Sequence, residues 1–133
     1  KTDKITVVLA DIDDLKKIND KYGHAAGDIA ISTVAGALQH ACPKGALCVR
    51  FGGDEMLAVY PGVTELAQIR EQFYEYLDNL NKTVEREFEI NASIGVYMTE
   101  AGETPDFEEI VVQSDRLMYM EKEKRKSERG KNT

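Results

Sequence analysis

A chain of 133 residues, 42% of them apolar, is the size of a single domain with its own core. Its net charge of −7 excludes an extended nucleic-acid surface, which needs a basic stripe, but not a nucleotide held through a cation and a few lysines. No apolar run reaches the ~18 residues of a membrane span and the N-terminus lacks a signal peptide's apolar stretch, so a soluble, cytoplasmic domain without membrane contact is expected.

The first predicted element is a strand at Val7-Val8-Leu9-Ala10, a continuous apolar run of the kind buried on both faces, and it ends in Asp11-Ile12-Asp13. Two helices follow. The second carries an apolar stripe at Ile31, Val34, Ala35 and Leu38, while Asn19-Asp20 can end the first helix and Asp28 can cap the second. Leu47 to Phe51 and Met56 to Tyr60 read as the strands of a hairpin, with Gly52-Gly53 expected to supply the positive backbone dihedrals of a tight turn. A third helix is marked by Leu66, Ile69, Phe73, Tyr76, Leu77, Leu80 and Val84, and a last core strand by Ser93 to Val96. Phe107, Ile110, Val111, Leu117 and Met118 mark a closing helix, and the run from Lys124 onward is charged and expected to be solvated or disordered. Gly23, Gly45, Gly62 and Gly102 fall at loops. This order is α+β: a ferredoxin-like or palm-type antiparallel sheet, with strands flanking a central hairpin and helices on one face. Cys42 and Cys48 lie in apolar surroundings without zinc-type spacing, which suits buried thiols of no assigned function.

Acids at the end of a buried strand are costly unless paired or bound to a cation, and the hairpin adds two more, Asp54 and Glu55, directly after its glycines. Mg²⁺ usually takes one or two carboxylates together with substrate phosphates, and Asp11 with Asp54 or Glu55 supplies that number. Adjacent residues of an ideal strand face opposite ways, so Asp54 and Glu55 share a site only if the turn bends them together. Taken alone, Gly-Gly-Asp-Glu suits a structural hairpin equally well.

Four ordered motifs besides the hairpin decide between these. Asp11-Ile12-Asp13-Asp14-Leu15-Lys16-Lys17-Ile18-Asn19-Asp20, then Gly23-His24-Ala25-Ala26-Gly27-Asp28, then Arg50 to Met56, and finally Ser93-Ile94-Gly95-Val96 with Ser114-Asp115 through Tyr119 and Lys122, together resemble the GGDEF family of diguanylate cyclases. The resemblance covers nearly the whole chain and implies a GGDEF domain over residues 1–127, followed by a charged tail at 128–133. It implies a nucleotidyltransferase that joins two GTP molecules into cyclic di-GMP with loss of pyrophosphate, each 3′-hydroxyl attacking the other nucleotide's α-phosphate. Two sites must then face each other in a homodimer.

By the same resemblance Asp11, the Ile12 carbonyl, Asp54 and Glu55 are ligands of Mg²⁺ or Mn²⁺, two ions per site, and either Asp54 or Glu55 can act as base. Asn19 and Asp28 stand where the family reads the guanine edge, with Leu15 beside the base. Phosphate contacts fall to Lys16, Lys122 and Lys126, the last because Asp115, Tyr119, Lys122 and Lys126 share one helical stripe. His24 is expected to pack or cap rather than to catalyse.

The chain also departs from the family pattern. Met56 replaces the hairpin's usual Phe and Leu15 a common Phe, both remaining apolar. The family's Lys-x-x-Gly-Arg-Asn reads Lys122-Glu123-Lys124-Arg125-Lys126-Ser127, giving a point charge where Arg offers a bidentate fork. Many members carry an inhibitory Arg-x-x-Asp ahead of the hairpin, and those four positions here read Pro43-Lys44-Gly45-Ala46. The family's upstream Asp-x-Leu-Thr-Gly-Leu-x-Asn-Arg segment does not precede the first strand, as expected of a catalytic domain from a longer signalling protein with a sensor. The alternative is a weak or inactive GGDEF module that binds GTP to regulate a neighbour. Intact acids favour the cyclase, and Asn19 with Asp28 disfavour another palm-type nucleotidyl enzyme.

Overall fold

The computed structural model describes residues 4–50, 52–62 and 65–100, and beyond them residues 108, 112, 115, 116, 119–124 and 127. The expected positions Phe51, Gly102, Phe107, Ile110, Val111, Ser114, Leu117, Met118 and Lys126, and the tail at 128–133, lie outside the described residues.

Seven elements follow in chain order: β1 (Lys4–Ile12), α1 (Leu15–Tyr22), α2 (His24–Ala41), β2 (Leu47–Arg50), β3 (Glu55–Pro61), α3 (Leu66–Thr83) and β4 (Ala92–Glu100). Residues 119–124 are helical as well. The strands form one antiparallel sheet in the order β2-β3-β1-β4, the ferredoxin-like arrangement expected. The hairpin is off-centre, however. Its second strand is interior, but β2, with only four residues, forms an edge, and the central pair is β1 and β3.

The pleat explains why β1 is apolar throughout, since successive side chains alternate between faces. Val8, Ala10 and Ile12 join Met56, Ala58, Tyr60, Ala92 and Ile94 in the main core under the helices. Val7, Leu9 and Leu57 form a smaller buried cluster. Helix α2 buries mainly small residues, Ala26, Gly27, Ala30, Ala37 and Ala41, alongside Val34 and Leu38. Small side chains let its axis lie close to its neighbours. Helix α3 buries Ile69, Phe73 and Leu77, each contributing roughly 1.5–3 kcal/mol by the usual burial scale. Leu66 and Val84 were expected in that stripe but are exposed, because one is the first residue of α3 and the other lies just past its last.

Two contacts tie the chain after α3 back toward the end of β1. Asn81 clasps the Ile90 backbone, donating to its carbonyl and accepting from its amide, both at 2.9 Å. Tyr22 and Phe88 stack with centroids 4.8 Å apart. The Asn91 carbonyl is thereby held where it accepts the Asp13 amide at 2.8 Å. Among the described residues no helix is long and apolar enough to cross a membrane.

Candidate active site

Asp11 lies near the end of β1, directly opposite Glu55 of β3 and Ser93 of β4. Asp54 sits in the bend that precedes β3, and its carbonyl accepts the Ile12 amide at 2.8 Å. That bond carries the hairpin turn onto the end of β1. The Asp54 charge bears on both of the other acids. Burial pushes Asp11 up to about 6 from an ordinary 3.8, with the neighbouring Asp54 raising it further and Lys122 opposing. Burial also raises Glu55, as do the charges of Asp115, Asp11 and Asp54.

Lys122 donates to Asp11 Oδ2 at 2.6 Å, across 111 positions of sequence. Burial alone would lower the Lys122 pKa, but its hydrogen bond to Asp11 and the charges of Asp11, Asp13 and Asp54 outweigh that and raise it. The two partners therefore report different things about one contact. The lysine is stabilised as a cation, whereas Asp11 remains a reluctant anion because desolvation exceeds what one ammonium returns.

The turn departs from expectation. Among the described residues positive φ falls at Asp14, Gly23, Gly45 and Gly62, and neither Gly52 nor Gly53 is among them. Strand β2 ends at Arg50 and β3 begins at Glu55, so the connection is longer than the two-residue turn that demands such dihedrals. Arg50 closes it by donating to the Gly53 carbonyl at 2.8 Å. Neither glycine is required by crowding. A Cβ on Gly52 would stand 3.4 Å from Glu55 Cβ, and Gly53 leaves its backbone open on the side where a Cβ would project.

Helices α1 and α2 meet beside this rim. A side chain on Gly27 would overlap the Asn19 carboxamide, so the glycine is the seat on which Asn19 rests, and Asp28 is the next residue along. The capping roles open to both residues are excluded. Asn19 lies inside α1 with its carbonyl accepting the Gly23 amide at 2.9 Å, and Asp28 lies inside α2, which starts at His24 after Gly23. Lys16 is exposed on the first turn of α1. Leu15 belongs to the main core, where packing rather than an open pocket accounts for it. His24 is exposed and makes no side-chain cap, against the packed or capping place expected of it.

The donor set suits a hard divalent cation. Asp11 Oδ1 is buried without a hydrogen-bond partner among the described residues, while the Lys122 ammonium holds the other oxygen of the same carboxylate. Among the described residues no three His, Cys, Asp or Glu side chains are grouped closely enough to hold a metal ion by themselves.

A sequence profile described as diguanylate cyclase, GGDEF domain, matches residues 1–128. The chain belongs to the GGDEF domain family. Among its curated relatives, the probable diguanylate cyclase DgcJ of Escherichia coli K12 is 30% identical over 123 residues, covering 92% of this chain and 24% of that protein. Diguanylate cyclase DgcS of Shewanella oneidensis is 27% identical over 122 residues, covering 92% of this chain and 40% of its own length. The GGDEF domain thus spans well under half of these relatives. A solved active GGEEF domain of a Vibrio cholerae diguanylate cyclase superposes with a TM-score of 0.70 at 25% identity, covering 91% of this chain and 78% of that one. Diguanylate cyclase SiaD of Pseudomonas aeruginosa, solved with its activator SiaC, gives 0.69 at 26% identity, covering 91% and 47%.

Within this GGDEF domain the structure brings Lys122 onto Asp11, within the influence of Asp54 and Glu55, and sets the Asn19 side chain against Gly27, the residue before Asp28. Two features had no sequence signal. Asp14 takes a left-handed conformation at φ 58, tolerable for Asp, to turn the chain from β1 into α1. Glu121 is buried against Arg70 and Tyr74 of α3, a pairing across about fifty positions that no local period announces.

Proposed function

We propose that this GGDEF domain condenses two GTP molecules into cyclic di-GMP, releasing pyrophosphate, as one half of a homodimeric site in a longer signalling protein. The observation that carries the reading is the convergence of Asp11, Asp54 and Glu55 at the β1 end, with Lys122 held against Asp11. Asp11, the Ile12 carbonyl, Asp54 and Glu55 are the groups to hold Mg²⁺ or Mn²⁺. When bound, such ions neutralise phosphate charge and clamp the attacking and leaving oxygens.

The chain's own residues do the rest. Asp28 accepts from guanine N1–H and the exocyclic amine, a donor pair that adenine lacks, and the Asn19 carboxamide beside it supplies a second base-edge contact. Lys122 and Lys16 neutralise phosphate oxygens, a task that the sequence spacing extends to Lys126, four positions after Lys122. Asp54 or Glu55 takes the proton of the attacking 3′-hydroxyl as its oxygen bonds to the α-phosphorus and the bond to pyrophosphate breaks. The raised pKa of Glu55 makes it a stronger base than an ordinary carboxylate. Each nucleotide's 3′-hydroxyl attacks the other's α-phosphate, which is why two copies are needed.

The test is chromatography of products after GTP and Mg²⁺ are added to protein dimerised through a fused coiled coil. Cyclic di-GMP is expected, with ATP left untouched. GTP bound but unconverted would identify a regulatory module, and equal turnover of ATP another kind of nucleotidyl enzyme.

A further inference from the structure

Glu121 is a buried carboxylate that the proposed reaction does not use. It is 8% exposed, and both its oxygens are engaged. Arg70 of α3 lies 2.5 Å from Oε2, and the Tyr74 hydroxyl donates to Oε1 at 3.1 Å. The Tyr74 oxygen in turn accepts the Ile94 amide of β4 at 3.3 Å, so one cluster joins residues 119–124 to a helix and to an outer strand of the sheet. Arg70 also lies over the Tyr74 ring, 5.5 Å from its centroid. A carboxylate is buried at high cost unless it is paired in this way, and an acid clamped by two donors has one orientation.

The next residue is Lys122. Successive helix positions are turned by ~100°, so with Glu121 directed at α3 and β4, Lys122 is directed at the acidic rim. The contact it makes there is not self-supporting. Its side chain is 36% exposed and Asp11's 15%, and a single partly solvated pair scarcely offsets the entropy of ordering a lysine stem. Something else must fix the helix that carries it.

We propose that Glu121 is a positioning residue: held by Arg70 and Tyr74, its carboxylate fixes the rotation and depth of the helical segment so that Lys122 reaches Asp11 and the phosphates that bind beside it. The phosphate half of this statement rests on the proposed cyclase reading; the geometric half does not. Arg70 and Tyr74 sit on the outer helix α3, so the reach of an active-site lysine is set by a contact outside the site.

Two measurements test it. In nucleotide-free protein, limited acylation followed by mass spectrometry reads how accessible each lysine is. Lys122 should label several-fold faster in Glu121→Ala, as it should in Asp11→Asn, while exposed Lys124 stays unchanged. Glu121→Gln and Tyr74→Phe preserve volume and carry the same test if Glu121→Ala does not fold, with a smaller rise expected in each. Wild-type labelling of Lys122 in a folded Glu121 variant overturns the proposal. In GTP titrations with Mg²⁺, Glu121→Ala should lose about as much affinity as Lys122→Ala, and the double variant no more than Lys122→Ala alone. Additive losses would make Glu121 a merely structural acid. If wild-type protein binds no GTP, the cyclase reading fails, and the acylation result still decides whether Glu121 positions Lys122.

Discussion

Asp11 carries the site's main electrostatic conflict, because an acid with one buried oxygen lacking a partner and two carboxylate neighbours is held among like charges. Asp11→Asn and Asp54→Asn should each abolish cyclic di-GMP synthesis in the dimerised protein while leaving the far-UV circular dichroism intact; near-normal synthesis by either would remove the metal-ligand assignment. The same conflict fixes a pH dependence. The folded protein holds the Asp11 proton up to about pH 6 against an ordinary 3.8, so the folded state binds more protons than the unfolded one between those values. Stability from this group is full below that window and is lost as pH rises through it. Thermal midpoints of wild type should therefore fall relative to Asp11→Asn from about pH 4 to pH 6 and run parallel above. Added Mg²⁺ should raise the wild-type midpoint and leave that of Asp11→Asn nearly unchanged.

At the scale of elements, the meeting of α1 and α2 separates recognition from stability. Gly27→Ala adds a methyl group into the space of the Asn19 carboxamide, a short side chain that can swing away. Ala is otherwise favoured over Gly inside a helix by up to about 1 kcal/mol, so the fold should tolerate the change. Guanine recognition should not. Gly27→Ala is expected to relax the preference for GTP over ATP as far as Asn19→Ala or Asp28→Ser, by on the order of 1 to 3 kcal/mol of lost base-edge bonding. Competition assays showing unchanged selectivity in all three would return Asn19 and Asp28 to purely helical roles. What was legible in the sequence was local. The β1 run, the Ile69-Phe73-Leu77 stripe and the strand-helix-hairpin order follow from periodicity, and the motifs marked Asp11, Asp54 and Glu55. What was not legible depends on partners distant in sequence. The edge position of β2, the place of Asp28 inside α2 rather than at its cap, the true conformation of the glycine turn and the burial of Glu121 on α3 are each set by pairings that no window of the chain contains.

For the whole molecule, the end of the hairpin away from the acids bears on regulation. A cavity of about 480 Å³ lies there, lined by Gln39, Cys42, Pro43, Lys44, Gly45, Ala46 and Cys48. It coincides with the four positions where many GGDEF domains carry an inhibitory Arg-x-x-Asp. Its chemistry is wrong for the product. Burial pushes the Cys42 thiol up to about 12, helped by the neighbouring Cys48, and burial raises Cys48 too, so both stay neutral. Among the described residues Lys44 is the single charged one in the lining, a point charge that does not reproduce the planar grip of a guanidinium on guanine and phosphate, and no described carboxylate joins it there. On the proposed cyclase reading, such a surface leaves synthesis without the common brake on its own output. Titration calorimetry with cyclic di-GMP should therefore show no tight site outside the active-site half, and product added to the dimerised enzyme should slow it only by competing with GTP. A low-micromolar isotherm that survives Asp11→Asn but is lost on Lys44→Ala would show that the cavity binds product after all and that feedback here uses a different set of contacts.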